Sequence, residues 1–263
     1  MGTELVSFRE RLVADATAAA AREQRSSAML SLQGGVFAIG GQTLGSRIIA
    51  VVLDSYFANE FYDPSKPYDP EDPQPPVCYA FARDGKHEMR PHESMQADLT
   101  FFKPQSPWDM NVNAPGLCSG CVQNKWGSQP GRKGKACKNR ETLTLLPAGF
   151  FQPPKSRGGT SEPTLFDDPA HFAKADAVGL KLPVTSGANW AAYVTQLAAS
   201  HRLPPYGVYT EIYLENDPKS QYKVKFDMLG ELPESLFEIV MRKVDGVIST
   251  PFKGYEPPEK APF

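Results

Sequence analysis

Leu5, Phe8, Leu12, Ala16 and Ala19 recur at helical spacing near the start of the chain, with Arg9, Glu10 and Arg22 on the other sides. That pattern predicts an amphipathic helical arm within residues 1–26. From Met29 the period changes. Short apolar runs at 29–32 and 36–39 are punctuated by Gly34-Gly35 and Gly40-Gly41, and 48–53 is continuously apolar, so a hairpin is expected to feed a buried central strand. Further short strands are predicted at 77–82 and 141–146. Ser186 is placed to cap a helix running to about Ser200 that buries Trp190, Val194 and Leu197. The alternating runs 208–214 and 222–228, joined by Asn216-Asp217-Pro218-Lys219, predict a β-hairpin. Pro233 opens a last helix to about Val244, with Leu236, Ile239 and Val240 inward.

Between these elements the pattern lapses. Six of the fourteen residues from Asp63 to Pro76 are proline, which forbids helix and ladder pairing alike. Residues 84–140 hold few periodic apolar runs, and an excursion of that length inside a compact domain calls for a staple or a function. The expected organisation is the arm at 1–26, one domain at 27–249 with a loop at about 84–140, and a proline-rich tail at 250–263.

Composition narrows the function classes. The 263 residues carry 28 Lys and Arg against 30 Asp and Glu, a formal charge of -2, so a globally basic polyanion binder is excluded and any nucleic-acid site must be a local patch. The absence of a membrane-length apolar run and of a basic-then-apolar leader predicts a cytoplasmic protein. In a reducing compartment four cysteines are expected as thiols or metal ligands.

Those cysteines form a pattern. Cys118-Ser-Gly-Cys121 is a CxxC turn, Cys137 follows, and Cys78 lies on the predicted strand before the loop. A CxxC turn brings two thiolates near one ion at about 2.3 Å, and a structural zinc site takes four such soft ligands. The metal set is therefore Cys78, Cys118, Cys121 and Cys137, with His87 and His92 competing with Cys78 for the fourth position. A redox pair is the rival, but a thioredoxin-like CxxC follows a strand and opens a helix, whereas Gly116 and the glycines at 127–134 make this a loop.

Around the turn lies the local charge. From Val122 to Arg140 stand Lys125, Arg132, Lys133, Lys135, Lys138 and Arg140 with no acidic residue, and Trp126 sits among them with Trp108 upstream. Glycines let backbone amides approach phosphate, and an exposed indole offers a stacking face to a base. The competing reading is a solvated basic loop whose tryptophan packs over the metal. On the 208–228 hairpin, Tyr209, Tyr213, Lys223 and Lys225 are expected on the face opposite the core, where they could stack bases and hold phosphates or simply meet solvent.

Enzymatic motifs fail on inspection. Gly131-Arg-Lys-Gly134-Lys135-Ala136 lacks the first glycine and the final hydroxyl of a P-loop. His87 to His92 is one residue too long for HExxH and is broken by Pro91. No GxSxG elbow is present. A non-enzyme is expected. The chain ends in Pro262-Phe263, whose apolar side chain beside a carboxylate suits capture by a small basic pocket on a partner.

Gly-punctuated strands from Gln33 to Leu53, the segment Pro75-Pro-Val-Cys-Tyr-Ala80, the Cys118-x-x-Cys121 run with Asn124, Trp126 and Gly127, and Gly134-Lys-Ala-Cys137 resemble phage-type single-stranded-DNA-binding replication and recombination proteins with a zinc-binding insertion. The resemblance covers about residues 30–150. It implies an OB-like small barrel in a β-rich α+β fold, with a zinc-stapled loop insertion, peripheral helices and a host-cytoplasm setting. The tip Phe263 is similar to the partner-binding end of bacterial single-strand-binding proteins. Those tails are acidic, whereas Lys253 and Lys260 here offset Glu256 and Glu259. The expected role is non-catalytic single-stranded DNA binding, with replication or recombination proteins as possible tail partners. The alternatives are a zinc-stabilised phage structural or adaptor protein that binds a protein partner, and a nuclease whose carboxylates carry no recognisable motif.

Overall fold

A computed structural model describes residues 29–63, 74–84, 89–94, 117–152, 161–218 and 220–252. The predicted N-terminal arm, Trp108, His87 and Phe263 lie outside them.

The fold is organised by one long strand. In chain order the strands are β1 (Met29–Gln33), β2 (Val36–Ile39), β3 (Gln42–Gly45), β4 (Arg47–Phe61), β5 (Cys78–Ala82), β6 (Lys138–Phe151), β7 (Pro163–Leu165), β8 (Val178–Lys181), β9 (Val208–Asp217) and β10 (Gln221–Glu231). The helices are α1 (Pro169–Lys174), α2 (Gly187–Gln196), continued by a π-turn at Leu197–His201, and α3 (Glu234–Ser249). The sheet order is β10-β9-β4-β6-β8-β1-β2-β3, with β5 also on β4 and β7 also on β6. All the pairs are antiparallel except β1 with β8.

β4 is long enough to need two partners on one edge. Its first residues pair with β9 (Arg47 opposite Tyr213) and its last with β5 (Phe61 opposite Cys78), while β6 runs along the other edge for nearly its full length. The continuous apolar run at 48–53 follows from burial on both sides. Ala50 and Val52 face a cluster with Leu143, Leu145, Trp190, Tyr193 and Leu197 of α2 and its π-turn. Ile49, Val51 and Leu53 face a second cluster with Phe172 of α1 and Leu236, Val240 and Val244 of α3. Register irregularities in the β4–β6 ladder at Ile49/Ala50 and between Val52 and Asp54 interrupt the strict alternation.

Helix ends follow local chemistry with one exception. Asp168 caps α1, its carboxylate accepting from the Ala170 N–H at 2.9 Å, with Pro169 at the first helical position. Pro233 precedes α3, as expected. Ser186 does not cap α2: its buried hydroxyl accepts instead from the Val224 N–H of β10 at 3.0 Å, where a strand amide needs a partner more than a helix end does.

The architecture is mixed α/β, strand-rich, with one open sheet and few helices. The expected small barrel is not confirmed, since no ladder joins β3 to β10 among the described residues. The end of the sheet does curl. Phe37 of β2 is fully buried in the α2-side cluster with Val224 and Phe226 of β10. The β1–β2 turn comes so close to β10 that a Cβ on Gly35 would lie 2.8 Å from the Tyr222 ring, and Gly35 also needs its φ of +80°. Among the described residues no helix is long and apolar enough to cross a membrane.

Candidate nucleic-acid interface and cysteine cluster

The far end of β4 carries the chemistry. Paired residues of antiparallel strands point to the same side, so one face there presents Phe57, Asn59 and Phe61 and the other Tyr56, Ala58 and Glu60. Cys78 stands opposite Phe61 on β5, and Cys137 immediately precedes Lys138, which pairs with Glu60. Phe61, Cys121 and Cys137 form a small buried cluster with Cys78, Val77 and Ala136 against it.

Cys118 and Cys121 bracket a tight turn. The Cys121 N–H donates to the Cys118 carbonyl at 3.3 Å, the Asn124 N–H to the Cys121 carbonyl at 3.0 Å, and the Cys137 N–H to the Gln123 carbonyl at 2.8 Å. Gln123 and Asn124 amides also bond the Cys121 sulfur, and the Asn59 side chain bonds that of Cys118. All four cysteines are free of disulfides.

The thiols share one neighbourhood. Burial is the main reason each is held protonated, and Cys78 is pushed up to about 12. The charges of Cys118 and Cys121 add to the effect at Cys78, and those of all three other cysteines add to it at Cys137. Lys125 works in the opposite direction at Cys121 and Lys135 at Cys137. Among the described residues no three His, Cys, Asp or Glu side chains meet the spacing of a formed metal site. Of the two competing histidines, His92 has both ring nitrogens engaged elsewhere, with Ser94 at 2.8 Å and the Phe252 carbonyl at 3.0 Å.

A polar network ties the turn to the sheet. Asn139 Nδ2 donates to Asn59 Oδ1 across the β4–β6 pair, Lys135 Nζ donates to Asn139 Oδ1 at 3.0 Å and Asn124 Oδ1 at 3.2 Å, and Asn124 Nδ2 donates to the Cys118 carbonyl at 2.9 Å. Lys138 Nζ reaches Gln129 Oε1 and the Lys135 carbonyl. Lys135 and Lys138 are thus building material. Lys125, Arg132, Lys133 and Arg140 are exposed.

Trp126 is 77% exposed at the tip of this loop. The tip is shaped by its own backbone: the Gly127 and Gln129 amides donate to the Gly134 carbonyl, and Gly127 (φ +88°) and Gly131 (φ +67°) occupy the left-handed region. Ser128 Oγ donates to the Gln123 carbonyl and accepts from the Ala136 N–H. The indole does not pack over the cysteines.

The hairpin offers no comparable surface. Tyr209 is 3% exposed, packed in the α3-side core with its hydroxyl donating to the Phe166 carbonyl at 2.5 Å. Its side of the sheet is covered by a helix, so the expected solvent face does not exist there. Lys223 is paired with Asp217 at 2.8 Å and Lys225 with Glu215 at 3.3 Å. Tyr213 lies among Glu211, Glu215 and Asp227, and burial with these acids raises its phenol. Both lysines of this face are thus partnered by acids of the same hairpin.

Two groups escaped sequence reasoning. Glu141 is half-buried beneath α2, accepts from the Trp190 indole, and burial pushes its carboxyl up to about 7. Tyr56, Tyr79, Phe81, His92 and Phe252 form a ring cluster on β5. Only the alternation of Tyr79 and Phe81 hinted at it.

No family model matches the sequence, and no curated protein or solved structure matches it.

Proposed function

We propose that the chain binds single-stranded DNA without catalysis, in replication, recombination or repair, through Trp126 and the exposed cations of the loop. The observation that carries this reading is the 77% exposure of Trp126 beside Lys125, Arg132 and Lys133, in a stretch without an acidic residue. An indole held in water by a hydrogen-bonded loop has no packing role, and a base stacked on it would be flanked by phosphate partners.

Zinc fits the thiols as donors. Cys118, Cys121 and Cys137 are buried and Cys78 is half-buried; all four are soft, free of disulfides and gathered from three segments, and amide donors already converge on the Cys121 sulfur. Bound there, the ion would supply only cross-linking, holding the loop on the ends of β4, β5 and β6. Four protein ligands leave no open position for a reacting water.

Fluorescence anisotropy with labelled oligothymidine and a duplex of equal length, at low and high salt, tests the proposal. The expected result is preference for the single strand and an affinity falling with salt by a log–log slope of about -0.7 for each neutralised phosphate. Equal binding to duplex, or no response to salt, overturns it; absence of any nucleic-acid binding turns the loop toward a protein partner.

A further inference from the structure

We propose that the hollow formed by Tyr56, Phe81 and Arg83 on the β4–β5 surface is a binding site for a nucleobase, and that Phe252 of the chain itself fills it. The inference rests on the single-strand reading for its ligand class, and on separate geometry for the site.

The hollow already binds a planar ring. Phe252 stacks on Phe81 with centroids 5.0 Å apart and planes 27° from parallel, meets Tyr56 at 5.0 Å, and lies under the Arg83 guanidinium at 4.5 Å. Stacking against a ring with a guanidinium over the same aromatic is the kind of environment that holds a base.

Receptor and occupant are anchored unequally. Tyr56 and Phe81 stand on paired strands, and Arg83 is fixed by Asp54 at 2.8 Å and by the Val247 carbonyl of α3 at 2.9 Å, with one longer contact, 3.4 Å to the Thr250 carbonyl, lying in the segment that carries Phe252. Phe252 follows the end of α3 outside any ladder, and its carbonyl accepts one hydrogen bond from His92 Nε2 at 3.0 Å. Departure of the segment would leave the ring site standing.

Surroundings favour a nucleotide. Beside Phe252 opens a cleft of about 400 Å³ lined by Arg83, His92, Glu93 and Thr250 among others. Phe81, Ala58 and Arg140 are aligned across β5, β4 and β6, so exposed Arg140 lies on the same face, roughly 10 Å from Phe81 at the usual strand spacing. Arg140 is also the last residue of the acid-free basic stretch.

Isothermal titration with deoxyadenosine monophosphate tests the site without requiring the Trp126 loop. Phe252→Ala is expected to bind about tenfold more tightly than the unaltered chain, the factor by which an internal competitor masks a site open about a tenth of the time. Adding Phe81→Ala should abolish the gain, and Trp126→Ala should leave it intact. Phe252→Leu, which keeps the apolar volume without the aromatic face, should also gain affinity and serves if the alanine variant folds poorly. A lowered melting temperature with no gain in either Phe252 variant would show a packing residue and overturn the proposal. Mononucleotide binding with these dependences but no oligothymidine binding would sink the loop reading and leave this site; the reverse result would sink this site alone.

Discussion

Cys78 and Cys137 approach Phe61 from opposite sides, one on β5 and the other at the mouth of β6. Each comes from a different neighbour of β4, so the strand pairing brings them together, and the CxxC turn of Cys118 and Cys121 completes the group. Mass spectrometry of the native protein is expected to find one zinc per chain, and Cys121→Ser to lose it and lower the melting temperature. Native protein without zinc would refute the cross-link.

The exposure of Trp126 separates binding from stability. Trp126→Ala should weaken oligothymidine binding by about 1–3 kcal/mol, roughly 5- to 150-fold, the usual worth of one stacked base. The melting temperature should stay within experimental error, because the ring contributes little packing. A large fall in stability would mean that the indole belongs to the core.

Glu141 gives a pH dependence whose sign is fixed. Its folded carboxyl, raised mainly by burial, titrates near 7 against an ordinary 4.5, so the folded state holds the proton more tightly than the unfolded one. This contribution to stability is complete below about pH 4.5 and is lost as pH rises through 7. Glu141→Gln should flatten that window and be more stable than the parent above pH 7 in urea unfolding. Trp190 fluorescence should titrate near 7 in the parent and not in the variant.

Tyr209 tests the hairpin correction. Tyr209→Phe removes the hydrogen bond to the Phe166 carbonyl and should cost about 0.5–1.5 kcal/mol of stability. Oligothymidine affinity should be unchanged. Weaker binding in a variant of normal stability would return the hairpin to the interface.

Local periodicity alone determined most of the elements. The runs at 29–32, 36–39, 48–53, 77–82 and 141–146 became strands, α2 and its π-turn bury Trp190 and Leu197, and α3 buries Leu236 and Val240. The CxxC turn and the acid-free basic loop were equally legible, because spacing and charge are properties of neighbours in the chain. Tertiary structure decided the rest. It gave β4 two partners on one edge and cover on both faces, which buried Tyr209 although its alternation pointed outward. It engaged Lys135 and Lys138 in a network with Asn124, Asn139 and Gln129 while leaving Arg132, Lys133 and Arg140 in water. It set Phe252 under Arg83 and Glu141 beneath Trp190. Burial and partnership arise when distant segments meet, and residue identity fixes only what each segment can offer once that meeting occurs.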